Sequence, residues 1–373
     1  MQSMTPEEFR RHLHRNPELS FAEHMTARFI SEALGACGIE HRTVAGTGVL
    51  ARIEGRGELK RAVVLRADTD ALPVHENTGL EFASCNEGVM HACGHDMHAA
   101  VLFGVLQRLN ADRSFGGTVF GLFQPGEECI PGGASKVLEE NPFDGYDVRA
   151  VIGEHVDPAL ETGVFGFREG KYMASNDELR FTLRGRGGHA AMRGALRDPV
   201  AAQAELVTAL LALNAPELIL SIGRVVADGA TNVVPDEVCL EGTMRTFSEQ
   251  VRQDTHRSIK EAASRLSEKY GVETAVDIRR GYPCVVNDTH LTRTAEELAR
   301  KMFSAVKLEL RPTAEDFGFY TQRYPSLFYR IGVGAAAGRL HAPEFNPDER
   351  AIGAGVEFMY ALACKVADYE QKK

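Results

Sequence analysis

The sequence predicts an α/β protein: a mainly parallel sheet flanked by helices, interrupted by an inserted α+β domain of ferredoxin-like type. Three observations lead to this. Apolar runs of the kind found in buried strands alternate with helical stretches through the first half of the chain, as they do where helices cover both faces of a parallel sheet. Around residues 175–285 the order becomes strand-helix-strand-strand-helix-strand, the split arrangement of a small two-layer sandwich. The α/β pattern then resumes. A chain of 373 residues can bury two cores. The boundaries drawn are 1–174 with 286–373 for the main domain and 175–285 for the insertion.

The chain opens on a helix, "TPEEFRRHLHR", with Thr5 as N-cap, Pro6 at the first helical position and Glu8 closing a capping box. A second helix is expected over about 21–36, ending near Gly38. Strands follow in "GVLARIEG" (48–55) and "RAVVLRAD" (61–68). A helix runs from about Met97 to Leu109, with Asp96 as its N-cap. "GGTVFGLFQP" and "VRAVIGEH" are two more buried strands. In the insertion, "DELRFTLRGRG", "LILSIGRVVA", "DEVCLEGTMRTF" and "VETAVDIRRGYP" read as strands. "DPVAAQAELVTALLAL" and "SEQVRQDTHRSIKEAASRLSEKYG" are its helices. A helix at 288–303, the strand "PSLFYRIGVG" and a closing helix at about 349–368 complete the main domain.

Composition narrows the function classes. Hydrophobic content of 44% and charged content of 25% are those of a soluble globular protein. A net charge of −10, with no long basic run, argues against nucleic acid as partner. No stretch approaches ~18 consecutive apolar residues, so no membrane span is expected. The polar, acidic start lacks the apolar core of a signal peptide. Seven scattered cysteines, an odd number, read as free thiols in a reducing compartment. A cytoplasmic protein is the expectation.

Three polar motifs stand beyond buried strands: "RADTDALP" after the strand ending at Leu65, "QPGEE" after Phe123 and "EHVDP" after Gly153. Ligands bind at the carboxyl ends of strands in open parallel sheets. Asp68, Asp70, Glu127, Glu128 and His155 are therefore expected to converge on one sheet edge. "HACGHDMHAA" (91–100) admits several readings. As helix, His91, His95 and His98 share a face and Cys93 points away. As extended chain, Cys93 and His95 face one side and form a thiolate–imidazole clip suited to zinc and similar ions. Cys93 could also be a nucleophile with a histidine base, or the run an ordinary helix start. Gly94 weighs against an unbroken helix.

Adjacent Glu127 and Glu128 point in different directions, so one can coordinate a metal while the other serves as general base. The bland alternative is a solvated pair. His155 and His341 are single histidines that, alone, read as hydrogen-bonded residues, and His98 reads as a helix-face or supporting residue. In the insertion, His189 stands in "RGRGGHAA" and Asn232 in "ATNVVPD". These are either strand-end turns or polar groups that a mobile domain carries to the main site. Arg245 in "GTMRTF" is either a surface arginine or a bidentate grip on a carboxylate. The dinucleotide and P-loop glycine patterns are absent.

Nine stretches in order, "LHRNPELSFAE", "RADTDALP", "MHACGHDMHAA", "FQPGEE", "GGHAAM", "TNVVPD", "GTMRTF", "EDFGFY" and "HAPEFNPDE", resemble the aminoacylase and carboxypeptidase family of co-catalytic metallopeptidases, essentially end to end. The narrower resemblance is to the amidohydrolase branch with hippurate hydrolases, indoleacetyl-amino-acid hydrolases and N-acetyl-diaminopimelate deacetylases. It implies two divalent metal ions, zinc or manganese, held by Cys93, His95, Glu128, His155 and His341, with the cysteine at the place of a bridging carboxylate. It implies Glu127 as general base, Asp70 as the carboxylate that orients a ligand, and His189 with Asn232 as oxyanion donors. His189 would act across a homodimer formed through the inserted domain, which would double as lid. Cys129 replaces the family's usual glycine after the glutamate pair, and Arg193 a common proline after "GGHAAM". The expected reaction is hydrolysis of an N-acyl amino acid, such as an N-acetyl amino acid, with a dipeptidase or carboxypeptidase as runner-up. A cysteine hydrolase built on Cys93 and a metal-free binding protein are the remaining rivals.

Overall fold

The computed structural model describes residues 4–368. In chain order the principal elements are α1 (Pro6–Arg15), α2 (His24–Ala36), β1 (Glu40–Val44), β2 (Gly48–Glu54), β3 (Arg61–Asp68), α3 (His95–Ala111), β4 (Thr118–Gln124), α4 (Gly133–Glu139), β5 (Asp147–Asp157) and β6 (Phe165–Phe167). Then come β7 (Asp177–Arg184), α5 (Pro199–Leu211), β8 (Leu218–Ala227), β9 (Glu237–Thr246), α6 (Glu249–Tyr270) and β10 (Glu273–Arg280). The chain closes with α7 (Thr289–Met302), β11 (Ala305–Lys307), β12 (Ser326–Gly332) and α8 (Arg350–Ala367). Two compact units result: one holds the residues up to Gly170, Val286–Leu310 and those from Asp316 on, the other Lys171–Val285 with Arg311–Glu315.

In the first unit the strands lie in the order β1-β2-β4-β3-β5-β12-β6-β11. The pairs β4–β3, β3–β5 and β5–β12 at the centre are parallel, which gives the α/β class expected. The flanks differ from a purely parallel sheet: β1–β2, β2–β4 and β12–β6 are antiparallel. For β1 and β2 the cause is their short connection, which permits only a hairpin; it turns through Ala45 at φ 49° and Gly46 at φ 83°. Helix α3 is buried on nearly every side from His95 to Leu106, so it lies inside the unit rather than on its surface. Phe9 of α1 stacks on its Phe103 with ring centroids 4.3 Å apart.

Several boundaries move, each for a local reason. Thr5 and Glu8 form the expected capping box, and Pro6 takes the first helical position of α1. Helix α2 begins at His24 instead of about 21, because Phe21 takes a left-handed φ of 62°. Strand β3 has the expected bounds and β4 lies within the expected stretch, with Ala67 paired to Phe123 and Asp68 to Gln124. Strand β5 continues to Asp157, so His155 sits within it, opposite Arg330 of β12. Asp96 is not the N-cap of α3. Gly94 at φ 92° starts that helix and its carbonyl accepts from the amides of Met97 and His98.

The second unit has an antiparallel sheet in the order β8-β9-β7-β10, or 2-3-1-4 in its own chain order. Helices α5 and α6 cover one face, where Leu206, Leu210, Ile259 and Leu266 pack on Phe181, Leu183 and Leu240. Strand β7 alternates buried and exposed positions, as a one-sided sheet requires. Buried Asp177 accepts from Arg252 Nε at 3.0 Å and lies 2.6 Å from His256 Nε2, tying β7 to α6.

Candidate metal centre

The first unit brings the strand ends together as a cluster of buried polar side chains. Arg66, inside the apolar run of β3, is fully buried and donates to Gln124 at 3.0 Å, Asp68 at 2.5 Å and Asp316 at 2.7 Å. Burial opposes a charge on Asp68, yet Arg66 and the neighbouring imidazoles of His95 and His98 outweigh it and hold that carboxyl well below its usual range. Asp68 Oδ1 accepts from His98 Nδ1 at 2.6 Å, and His98 Nε2 accepts from the Val156 amide at 2.9 Å. Both nitrogens of His98 are committed, so it supports the site without offering a lone pair. His91 is buried and held neutral, its pKa lowered to about 4 by burial, and neither ring nitrogen has a hydrogen-bond partner among the described residues.

The other histidines are arranged differently. His95 Nδ1 lies 2.9 Å from the Asp70 carbonyl and His155 Nδ1 lies 2.8 Å from the Val156 carbonyl. A carbonyl only accepts, so each Nδ1 carries the proton and each Nε2 presents its lone pair. Cys93 Sγ stands 3.3 Å from His155 Nε2 and 3.3 Å from His341 Nε2. His341 Nε2 is also 3.5 Å from Glu128 Oε1. The donor atoms of Cys93, His95 and His155 lie within 4.8 Å of one another, and so do those of Cys93, Glu128 and His341. The sulfur belongs to both groups. His95 Nε2 and Glu128 Oε1 are buried without a hydrogen-bond partner among the described residues. Such groups are costly to bury unless something binds them. Burial and the Glu128 carboxylate push the Cys93 thiol well above its usual range, so a thiolate here needs a cation beside it. The donor set of one sulfur, three imidazoles and a carboxylate fits borderline divalent ions, which these residues would hold.

Local backbone geometry holds these donors. A Cβ on Gly94 would lie 2.5 Å from Val156 Cγ2, so only glycine lets the 93–95 turn approach β5. His341 takes a left-handed φ of 64°, with its amide donating to the Ala92 carbonyl at 2.8 Å. A non-glycine residue in that region carries strain, which is kept where a site uses it. Asp70 is buried and faces both sides of the cluster: Oδ1 is 3.2 Å from His95 Nδ1, and Oδ2 accepts from Ser20 at 2.7 Å and the Glu128 amide at 2.9 Å. Glu127 is 7% exposed, and its carboxylate lies within 4.8 Å of the donor atoms of His95 and Glu128.

In the second unit, Gly188–His189 pair with Val233–Val234, and the Ala190 amide donates to the Asn232 carbonyl at 2.9 Å. His189 and Asn232 are thus neighbours, both exposed. Arg245 is partly buried, which lowers its pKa, and donates to the Pro312 carbonyl at 3.2 Å. It lines a groove of about 520 Å³ with Asn176, Thr243 and Arg279. Cys129 and Arg193 are exposed.

Residues with no role in the sequence reading also belong to the site. Asp316, from "EDFGFY", accepts from Gln124, Arg66 and the Ala134 amide. Glu154, beside His155, accepts from Tyr329 at 2.8 Å, and burial pushes its carboxyl up to about 8. Arg10 and His14 hold Asp96 at 2.7 and 2.8 Å. The sequence signal for these was their presence in or near the quoted stretches, without any hint of their partners.

Comparison with known proteins places the chain in a family. Residues 64–365 match the model of peptidase family M20/M25/M40. The chain is 38% identical over 369 residues to an N-acetylcysteine deacetylase of Bacillus subtilis (strain 168), covering 96% of each protein. It is 37% identical to an N-acetyl-L-cysteine deacetylase of the same organism, over 97% of this chain and 88% of the relative. Among solved structures, a Bacillus subtilis dinuclear metal binding peptidase from the M20 family superposes with a TM-score of 0.87 at 36% identity, over 97% of this chain and 98% of that one. This chain belongs to peptidase family M20/M25/M40 and is an enzyme, a hydrolase of the metallo-amidohydrolase and peptidase kind.

Proposed function

We propose that the enzyme hydrolyses the amide bond of N-acyl amino acids, N-acetyl amino acids among them, with two divalent metal ions, zinc or manganese. The observation that carries this reading is the Cys93 sulfur set between the imidazoles of His155 and His341, with His95 Nε2 and Glu128 Oε1 beside it lacking a hydrogen-bond partner among the described residues. Cys93, His95, Glu128, His155 and His341 are the ligands. When bound, the two ions acidify a water and polarise the acyl carbonyl. Glu127 takes the proton of the attacking water and later delivers it to the leaving amine. Asp70 keeps His95 in the tautomer whose Nε2 faces the ions, and holds the Glu128 amide. His189 and Asn232 donate to the oxyanion as it forms, His189 across a homodimer made through the inserted domain, which also serves as lid. Arg245 anchors the substrate carboxylate. The free state of all seven cysteines supports a cytoplasmic setting, and no helix among the described residues is long and apolar enough to cross a membrane.

The relatives' deacetylase names support acyl amino acids over peptides, whereas the M20 neighbour's peptidase name supports a dipeptidase or carboxypeptidase with the same site. Turnover of N-acetyl, N-benzoyl and dipeptide substrates by zinc- or manganese-loaded protein separates the two. Faster hydrolysis of the N-acyl amino acids is expected. Cleavage of dipeptides alone would overturn the substrate assignment.

A further inference from the structure

The stretch "LHRNPELSFAE" has no part in the reaction as described, yet it reaches the loop that carries both glutamates. We propose that Glu23 is a positioning residue: its carboxylate holds the Gly126 amide and so fixes the loop that presents Glu127 and Glu128. The proposal rests on the reading of Glu127 as base.

Glu23 is fully buried. Its Oε1 accepts from the Gly126 amide at 2.8 Å and its Oε2 from Thr47 Oγ1 at 2.6 Å. Glu23 stands at the N-cap position of α2 but makes no capping bond. Glu18 supplies that function instead, accepting from the Thr26 amide at 2.8 Å. A carboxylate at a helix start ordinarily satisfies its own helix. This one is turned away, and taking it out of water raises its pKa. The cost is spent on the loop.

Three buried carboxylates grip that loop by its backbone. Gly126 donates to Glu23, Glu128 donates to Asp70 at 2.9 Å, and Ala134 donates to Asp316 at 2.9 Å. Glu127 lies between the first two and is separated from each gripped residue by a single peptide bond. The segment carrying Glu23 also supplies Ser20, which donates to Asp70 at 2.7 Å. It supplies the ring of Phe21 as well, 2.4 Å from where a Cβ on Gly126 would be. Gly126, at φ 61°, is the one residue type that fits so close a floor. Glu23 touches neither substrate nor donor atoms; it acts through the loop.

The role asks for an acceptor of fixed shape, not for charge. Glutamine can accept from Gly126 and donate to Thr47, so Glu23→Gln restores the grip, whereas Glu23→Ala leaves the amide of Gly126 buried and unpaired. Displacing a group that supports a site typically costs about 10–100-fold. In the full-length, metal-loaded enzyme, Glu23→Ala is expected to lower kcat about 10–100-fold. KM for an N-acetyl amino acid should stay within about twofold, because the loop carries the base and not the carboxylate anchor. Amide hydrogen exchange over 125–134, read by mass spectrometry, should accelerate while exchange in α6 stays unchanged. Glu23→Gln should return kcat and exchange to near the wild-type values. Wild-type exchange and kcat in Glu23→Ala overturn the proposal, as does a Glu23→Gln enzyme as slow as Glu23→Ala, or faster exchange throughout the chain. If the wild-type enzyme cleaves none of the N-acyl substrates, the proposed function fails, while exchange over 125–134 still decides the role of Glu23.

Discussion

Glu127 and Glu128 are adjacent, yet Glu128 belongs to the same donor group as Cys93 and His341 while Glu127 stands beside it. The proposed roles, Glu127 as base and Glu128 as ligand, predict a clean separation. Glu127→Gln should keep metal content near two ions per chain by elemental analysis and slow turnover by about 10²–10⁴-fold, the usual worth of a general base. Substantial remaining activity refutes the assignment. Asp70→Ala removes the carboxylate that accepts from the Glu128 amide and lies 3.2 Å from His95 Nδ1, while the backbone carbonyl at 2.9 Å stays; it should weaken metal binding about 10–100-fold in a competition with a chelating dye. Unchanged affinity would show that Asp70 orients nothing. Glu127, Glu128 and His155 were expected at one sheet edge because they stand after apolar strands, whereas the full donor set with Cys93, His95 and His341 came from the family resemblance. Their buried partners were not legible. Arg66 sits in an apolar run and meets Asp316, 250 residues away, and nothing local announces such a pair. Glu154 beside Tyr329 was hidden for the same reason.

Elements were legible where the signal is local and failed where a distant contact intervened. The capping box of α1 uses residues three apart and was read directly. Asp96 looked like a cap, but its carboxylate is occupied by Arg10 and His14, from a helix more than 80 residues earlier, and Gly94 starts α3 instead. That turn predicts the effect of a small change. Gly94→Ala places a Cβ at a left-handed φ and against Val156, and should cost about 1–3 kcal/mol in chemical denaturation. A wild-type midpoint would contradict the role given to the glycine. The end of β5 was drawn too short because pairing with β12 carries the strand to Asp157, past the point where its own apolar run stops.

At the scale of the molecule, the order of elements revealed the α/β class and the split arrangement of the insertion, since both follow from which segments succeed one another. The antiparallel flanks of the large sheet did not follow, because they depend on where β6 and the β1–β2 hairpin come to rest. The second unit has its own electrostatic clamp. Burial disfavours the Asp177 charge, but His256 and Arg252 outweigh that and lower its pKa to about 2. A carboxyl lowered on folding contributes stability above its unfolded value, near pH 4, and loses that contribution as pH falls toward 2. Asp177→Ala should cost about 3–5 kcal/mol near neutral pH. It should also flatten the acid-side decline between about pH 4 and 2 in unfolding followed by circular dichroism. An unaltered decline would assign the clamp no role in stability. The central claim is that the Cys93 cluster works through bound metal. Its most direct test is hydrolysis of an N-acetyl amino acid before exhaustive EDTA treatment, after it, and after zinc or manganese is restored. Activity should vanish on chelation and return with about two ions bound per chain; turnover that survives complete metal removal would contradict the account.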